Sequence, residues 1–184
     1  MSELRKPQKL YNAETLTKND WFSVLKQSVV FPDGSTKPYY IVSFSSTGVG
    51  VVVRDKELYL LIYQYRFIVD AYSWGIPGGD FDEQVDNSLK DTACRELKEE
   101  TGYEATSLKH LMYFYPSCGS TNQRYEIFLA DNPSSSKDDF DKNEVMNIKW
   151  FHRNEVLDMI MNNQIVDAMA LTPLLFVLMN SDNK

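Results

Sequence analysis

Apolar positions fall into short alternating or β-branched runs and a few segments with helical spacing. Residues 21–30 alternate and are followed by Pro32-Asp33-Gly34-Ser35, a turn-rich stretch. With residues 37–43 beyond it, this pattern predicts an N-terminal hairpin or small antiparallel layer. Residues 48–53 and 58–65 are β-branched or aromatic runs joined at Arg54-Asp55-Lys56-Glu57, which predicts a second hairpin. Residues 72–77 lead into a loop over 78–86. A helix follows over about 88–101, where Ser88 with Asp91 makes a capping-box-like start and Gly102 is placed for a left-handed cap. Residues 108–115 and 125–130 read as strands around a polar loop, 117–123. The Ser/Asp-rich stretch 131–142 reads as a mobile surface loop. A last strand, 148–151, precedes helices over 154–161 and 166–179. Strands, one helix, strands and then helices predict an α+β domain of the sandwiched α/β/α kind.

Composition narrows the classes. A chain of 184 residues with 43% hydrophobic and 13% aromatic residues suits one globular domain with a short extra layer. The net charge of −7 argues against a DNA partner, which calls for a basic surface. It leaves room for a phosphorylated substrate if divalent cations supply positive charge locally. Two cysteines, Cys94 and Cys118, make no disulfide framework. The N-terminal nine residues lack the apolar core of a signal peptide, and no run of about 18 apolar residues predicts a membrane span. The expected compartment is the cytoplasm.

The helix over 88–101 carries the chemistry. At roughly 100° per residue, Leu89, Ala93 and Leu97 form its apolar stripe. Glu96 and Glu100, four apart, point the same way to within about 40° at the edge of that stripe. Arg95 and Glu99 occupy a neighbouring arc and can pair. Two carboxylates converging beside an apolar face repel and resist ionisation, and a divalent, oxygen-seeking cation relieves both costs. The bland alternative is a solvated charged face, and for a bare Glu-Glu run that alternative is the commoner one.

The surroundings tip the balance. Arg95-Glu96-Leu97-Lys98-Glu99-Glu100-Thr101-Gly102-Tyr103 resembles the second half of the Nudix signature at every defined position, and Trp74-Gly75-Ile76-Pro77-Gly78-Gly79 resembles the segment that opens it. The resemblance implies a Nudix α/β/α sandwich with a mixed central sheet over 46–184, plus an N-terminal antiparallel β layer over 1–45 that serves as a dimerisation layer. It also implies that Glu96 and Glu100 are the principal metal ligands, with Glu99 supplementary and the Gly79 carbonyl a backbone ligand. The metal would be Mg2+, with Mn2+ as an alternative. Arg95 would hold Glu99 and the loop, and Glu99, Glu100 and Arg95 would count among the catalytic groups. The signature departs in its first half. Gly79 to Arg95 is two residues too long, and Asn87 stands where a supporting glutamate belongs. Glu83, Asp82 and Asp80 are the candidates to replace that glutamate.

Features outside the signature point to a subfamily. Gln64-Tyr65-Arg66 resembles the Gln-Tyr-Arg of ADP-ribose and ADP-sugar pyrophosphatases, which implies that Arg66 binds the diphosphate. The loop from Pro116 through Gln123 and Arg124 resembles a substrate loop of the same subfamily, with Cys118 for a proline and Gln123 for a glutamate. By that likeness Gln123 and Arg124 would touch substrate. Glu144 is preferred over Asp139 and Asp141 as the late carboxylate that acts as general base. Trp21, Phe22, Tyr39 and Tyr40 could stack on a base or fill a dimer core, and core is the commoner role. The implied reaction is hydrolysis of a nucleoside diphosphate sugar by a homodimeric enzyme with no membrane or DNA partner. Competing readings are another Nudix diphosphatase, acting on dinucleoside polyphosphates, nucleoside triphosphates or capped RNA, and a Nudix-fold nucleotide-binding module without turnover. An isomerase of the same fold is disfavoured, because Cys94 lies on the helix in the wrong context.

Overall fold

The computed structural model describes residues 6–136 and 140–180. Asp139, one of the carboxylates weighed above, lies outside them, as do residues 1–5 and 181–184. The chain divides into two compact units, 1–46 with 117–123, and 47–116 with 124–184.

The first unit is a three-stranded antiparallel sheet of β1 (Gln8–Lys18), β2 (Phe22–Val30) and β3 (Thr36–Phe44). The turn between β2 and β3 is the predicted one, with Gly34 at φ 84° and Asp33 accepting from the Ser35 N–H. β1 was not legible in the pattern. Its register slips between Leu10 and Glu14, and Tyr11 sits at φ 54° with its side chain exposed, so no alternation survives. The buried Gln27 amide fills that irregularity by donating to the Leu10 and Ser28 carbonyls. Segment 117–123 joins this unit through the Val42 N–H, which donates to the Ser120 carbonyl, and through Asn122, which bonds both ways with the Phe44 backbone.

The second unit is built on a mixed seven-stranded sheet. Its path runs β12 (Asn147–His152), β5 (Leu58–Arg66), β4 (Gly48–Asp55), β10 (Tyr125–Asp131) and β9 (Leu108–Phe114). β6 (Ala71–Gly75) pairs with β5, and the short β7 (Gly78–Asp80) pairs with β4. Among the described residues of this sheet, only β4 and β10 run parallel. Both central strands are buried on both faces, which is why they read as continuous apolar runs. On one face lies α1 (Leu89–Thr101), whose Ala93 and Leu97 pack on Val49, Val51, Val53, Leu60, Phe128 and Ala130. On the other lie α2 (Arg153–Met161) and α3 (Ala168–Asn180), with Leu174, Leu178 and Val156 against Val52, Leu61 and Ile127. This is the expected α/β/α sandwich.

α1 begins and ends as its caps dictate. Ser88 Oγ accepts from the Asp91 N–H at 3.2 Å, and Gly102 closes the helix at φ 66°. The stretch expected as a mobile loop is partly pinned, since β11 (Ser134–Ser135) pairs with β8 (Tyr103–Glu104). Among the described residues no helix is long and apolar enough to cross a membrane.

Candidate active site

The site lies where α1 crosses β7. β7 pairs with β4 so that Gly78 faces Gly50 and Gly79 faces Val49, and both glycines are needed for close approach. A Cβ on Gly78 would sit 2.2 Å from the Val49 carbonyl oxygen, and one on Gly79 would sit 2.2 Å from Glu96 Oε1. The Gly-Gly pair thus lets the strand edge meet the helix carboxylates without a side chain between.

Glu96 and Glu100 are both buried, Glu100 with only 3% of its surface exposed. Glu100 Oε2 accepts from the Gly78 N–H at 2.6 Å, and Oε1 accepts from the Gln64 amide at 2.9 Å. Burial nevertheless dominates and pushes the Glu100 carboxyl up to about 8, aided by repulsion from Glu96 and Glu144 and opposed by the Gly78 N–H and Arg66. Burial likewise raises Glu96, against the pull of Arg95. The donor set is hard carboxylate oxygen whose charging is opposed by burial, and a small divalent cation would offset that cost. Among the described residues, no three His, Cys, Asp or Glu side chains are gathered to hold a metal by themselves. A cation here would therefore also draw on backbone or substrate oxygens, as magnesium commonly does.

Arg95 is the hub of the charged arc. Its Nη1 donates to Glu96 Oε1 at 2.7 Å and to Glu99 Oε2 at 3.1 Å, the predicted pairing among them. Its Nε and Nη2 grip both oxygens of Asp86, at 3.2 and 2.9 Å. This corrects the expectation for the missing glutamate. The supporting carboxylate is Asp86, not Glu83, Asp82 or Asp80, and Asn87 is exposed. The physical reason is the loop's own turn. Asp82 accepts from the Gln84 N–H with its side chain and from the Val85 and Asp86 N–H groups with its carbonyl, which takes up the extra residues and sets Asp86 under the helix start.

The other predicted residues fall as follows. Arg66 ends β5, pairs with Asp167 at 3.4 Å and acts electrostatically on Glu100. Glu144 is exposed and close enough to raise both Glu96 and Glu100. With Glu99, Phe140 and Asp141 it lines an open depression of about 400 Å³. The Asp141 N–H donates to the Glu99 carbonyl at 2.8 Å, tying this loop to α1, while the Asp141 carboxylate accepts from Asn143. Arg124 pairs with the buried Glu126, whose other oxygen bonds His110, and its guanidinium lies 4.3 Å over the Tyr113 ring. Gln123 belongs to the first unit, where its N–H donates to Thr121 Oγ1. Sequence reading missed Gln64 as a partner of Glu100. Its place on β5, two residues before Arg66 and on the same face, was the available signal.

Similarity to known proteins bears on the family. Residues 45–170 match the model of the NUDIX domain. The chain is 28% identical, over 86% of its length and 76% of the relative's, to a CMP-5'-(N-acetyl-N-hydroxy-3-aminopropyl)phosphonate hydrolase of Streptomyces rubellomurinus. It is 26% identical to an ADP-ribose pyrophosphatase of Bacillus subtilis, covering 84% of this chain and 86% of that one. A crystal structure described as an ADP compounds hydrolase superposes with a TM-score of 0.82 at 23% identity, covering 96% of this chain and 95% of that one, and so shares its fold. With the family's domain matched over most of its length, this chain belongs to the Nudix hydrolases.

Proposed function

We propose that this protein is a magnesium-dependent hydrolase of a nucleoside diphosphate sugar such as ADP-ribose, releasing a nucleoside monophosphate and a sugar phosphate. The observation that carries the reading is the buried pair Glu96 and Glu100 against Gly78-Gly79, held at a proton affinity that a divalent cation would relieve. Glu96, Glu100, Glu99 and the Gly79 carbonyl would hold Mg2+, or Mn2+ in its place. When bound, the cation supplies positive charge against the diphosphate oxygens and makes water a stronger nucleophile.

The chain's own groups do the rest. Glu144, exposed beside Glu99, takes the proton of the attacking water as its oxygen bonds to phosphorus. The bond from that phosphorus to the bridging oxygen breaks, and the second phosphate leaves as an anion. Arg66 steadies the diphosphate. Gln64 and the Gly78 N–H fix the rotamer of Glu100, and Arg95 fixes Glu96 and Glu99. Arg124 contacts substrate.

The names of the two relatives support the substrate class. One gives a CMP-phosphonate and the other ADP-ribose, each a nucleoside phosphate joined to a further group. We place the enzyme in the cytoplasm as a homodimer, with residues 1–45 as the dimerisation layer. No DNA or membrane partner is required. Incubation with ADP-ribose, another nucleotide sugar, a nucleoside triphosphate and a dinucleoside polyphosphate at fixed Mg2+ tests the choice. Preferential release of monophosphate from a nucleotide sugar is expected. Intact ADP-ribose beside a cleaved triphosphate would overturn it.

A further inference from the structure

The Nudix signature of this chain lacks its supporting glutamate, yet Arg95 is not left short of a partner. Asp86 is 7% exposed and spends its carboxylate on that residue and one other. Oδ1 takes Arg95 Nε, while Oδ2 takes both Nη2 and the Thr92 hydroxyl, the latter at 2.9 Å. Thr92 is itself fully buried on α1. A carboxylate with three donors in a fixed fork leaves a guanidinium little freedom. The edge of Arg95 that remains is Nη1 alone, and it is this nitrogen that reaches Glu96 and Glu99.

We infer that Asp86 is a positioning residue of the hydrolase site, which restores from a different loop position the support that Asn87 does not give, and which acts on the cation ligands only through Arg95. Without Asp86 the Nε and Nη2 donors lose their partners, and the nearest remaining anions are Glu96 and Glu99. The guanidinium then turns both edges toward those carboxylates and competes with any cation for their oxygens. The longer loop is what makes the replacement fit, because the Asp82 turn gathers the surplus residues and delivers position 86 rather than 87 to the helix. The inference rests on the reading of Glu96 as a cation ligand.

Calorimetric binding of Mn2+ to the metal-stripped full chain tests it without reference to turnover. Asp86→Ala is expected to weaken Mn2+ binding on the order of 10- to 100-fold, the usual size of an outer-shell effect on a metal site. Asn87→Ala is expected to bind as the wild type does. In an Arg95→Ala background, adding Asp86→Ala is expected to cause no further change, since a residue acting through Arg95 has nothing left to act on. A merely structural Asp86 would instead add its full effect there. Asp86→Asn keeps the shape and loses the charge, so it carries the test if the alanine variant does not fold, with an intermediate loss expected.

Wild-type binding with no change in either Asp86 variant overturns the inference alone, as does full additivity with Arg95→Ala. A wild type that binds no Mn2+ overturns the cation reading and this inference with it.

Discussion

Replacing Glu100 by glutamine should make the metal-free protein more stable at alkaline pH while removing its chemistry. An unfolded glutamate ionises through its ordinary value of 4.5, whereas the folded Glu100 holds its proton to about 8. The sign follows from proton counting. Between those values the folded state binds the extra proton, so stability falls as pH rises across the window. Below 4.5 both states are protonated and no penalty exists; above 8 it is complete. At about 1.4 kcal/mol per pH unit the full penalty is on the order of 5 kcal/mol, a large share of a typical domain's stability. Glu100→Gln removes the charge with little change of shape. Its amide can still accept from the Gly78 N–H and donate to Gln64 once that side chain turns over. Urea denaturation in a chelator should find the variant and the wild type alike near pH 4.5 and the variant clearly more stable at pH 8.5. Excess Mg2+ should close the gap by stabilising the wild type alone. A wild type equal to or more stable than the variant at pH 8.5 in chelator would refute the reasoning, because Glu100 would then ionise in the fold at no cost.

Other outcomes follow from the same geometry. Gly79→Ala drives a methyl into the Glu96 carboxylate, so the rate's dependence on Mg2+ concentration should move to higher metal by on the order of 10- to 100-fold, with the melting temperature little changed. Gln64→Leu removes the neutral donor on Glu100 Oε1 and should lower kcat/KM by a comparable factor with secondary structure retained by circular dichroism. Arg95 holds the Asp86 carboxyl below the usual carboxylate range, so this pair stabilises the fold above that range and ceases to do so as pH falls through the depressed value. The stability difference between wild type and Asp86→Asn should therefore vanish in strong acid, as denaturant titrations across pH would show. Chelation should abolish hydrolysis, and either Mg2+ or Mn2+ should restore it.

The elements that announce themselves locally were legible in the sequence. The β4–β5 hairpin reads from two apolar runs and a charged turn, and its tight turn is taken by Lys56 at φ 54°. α1 reads from Ser88, the 93/97 stripe and Gly102. β1 escaped because a bulge at Tyr11 and exposure on both faces erase any period. The site divides the same way. Glu96, Glu100, Glu99 and Arg95 share one helix, so spacing alone brings them together. Asp86 escaped because counting back from Arg95 assumes a loop of fixed length, and the Asp82 turn breaks that assumption. The grip of Gln64 on Glu100 spans 36 positions and depends on strand pairing that no local pattern contains. Arg124 and Glu126 could have been paired from the start, since Arg124 immediately precedes β10 and residues two apart along extended chain share a face.

Product analysis of ADP-ribose hydrolysis by wild type and Glu100→Gln is the most direct test of the central claim. Chromatography with Mg2+ present should find AMP and ribose 5-phosphate in equal amounts from the wild type. Losing a ligand worth several kcal/mol should slow the variant by at least about 10²- to 10³-fold. A variant that releases the same products at the wild-type rate would contradict the assignment of the chemistry to α1.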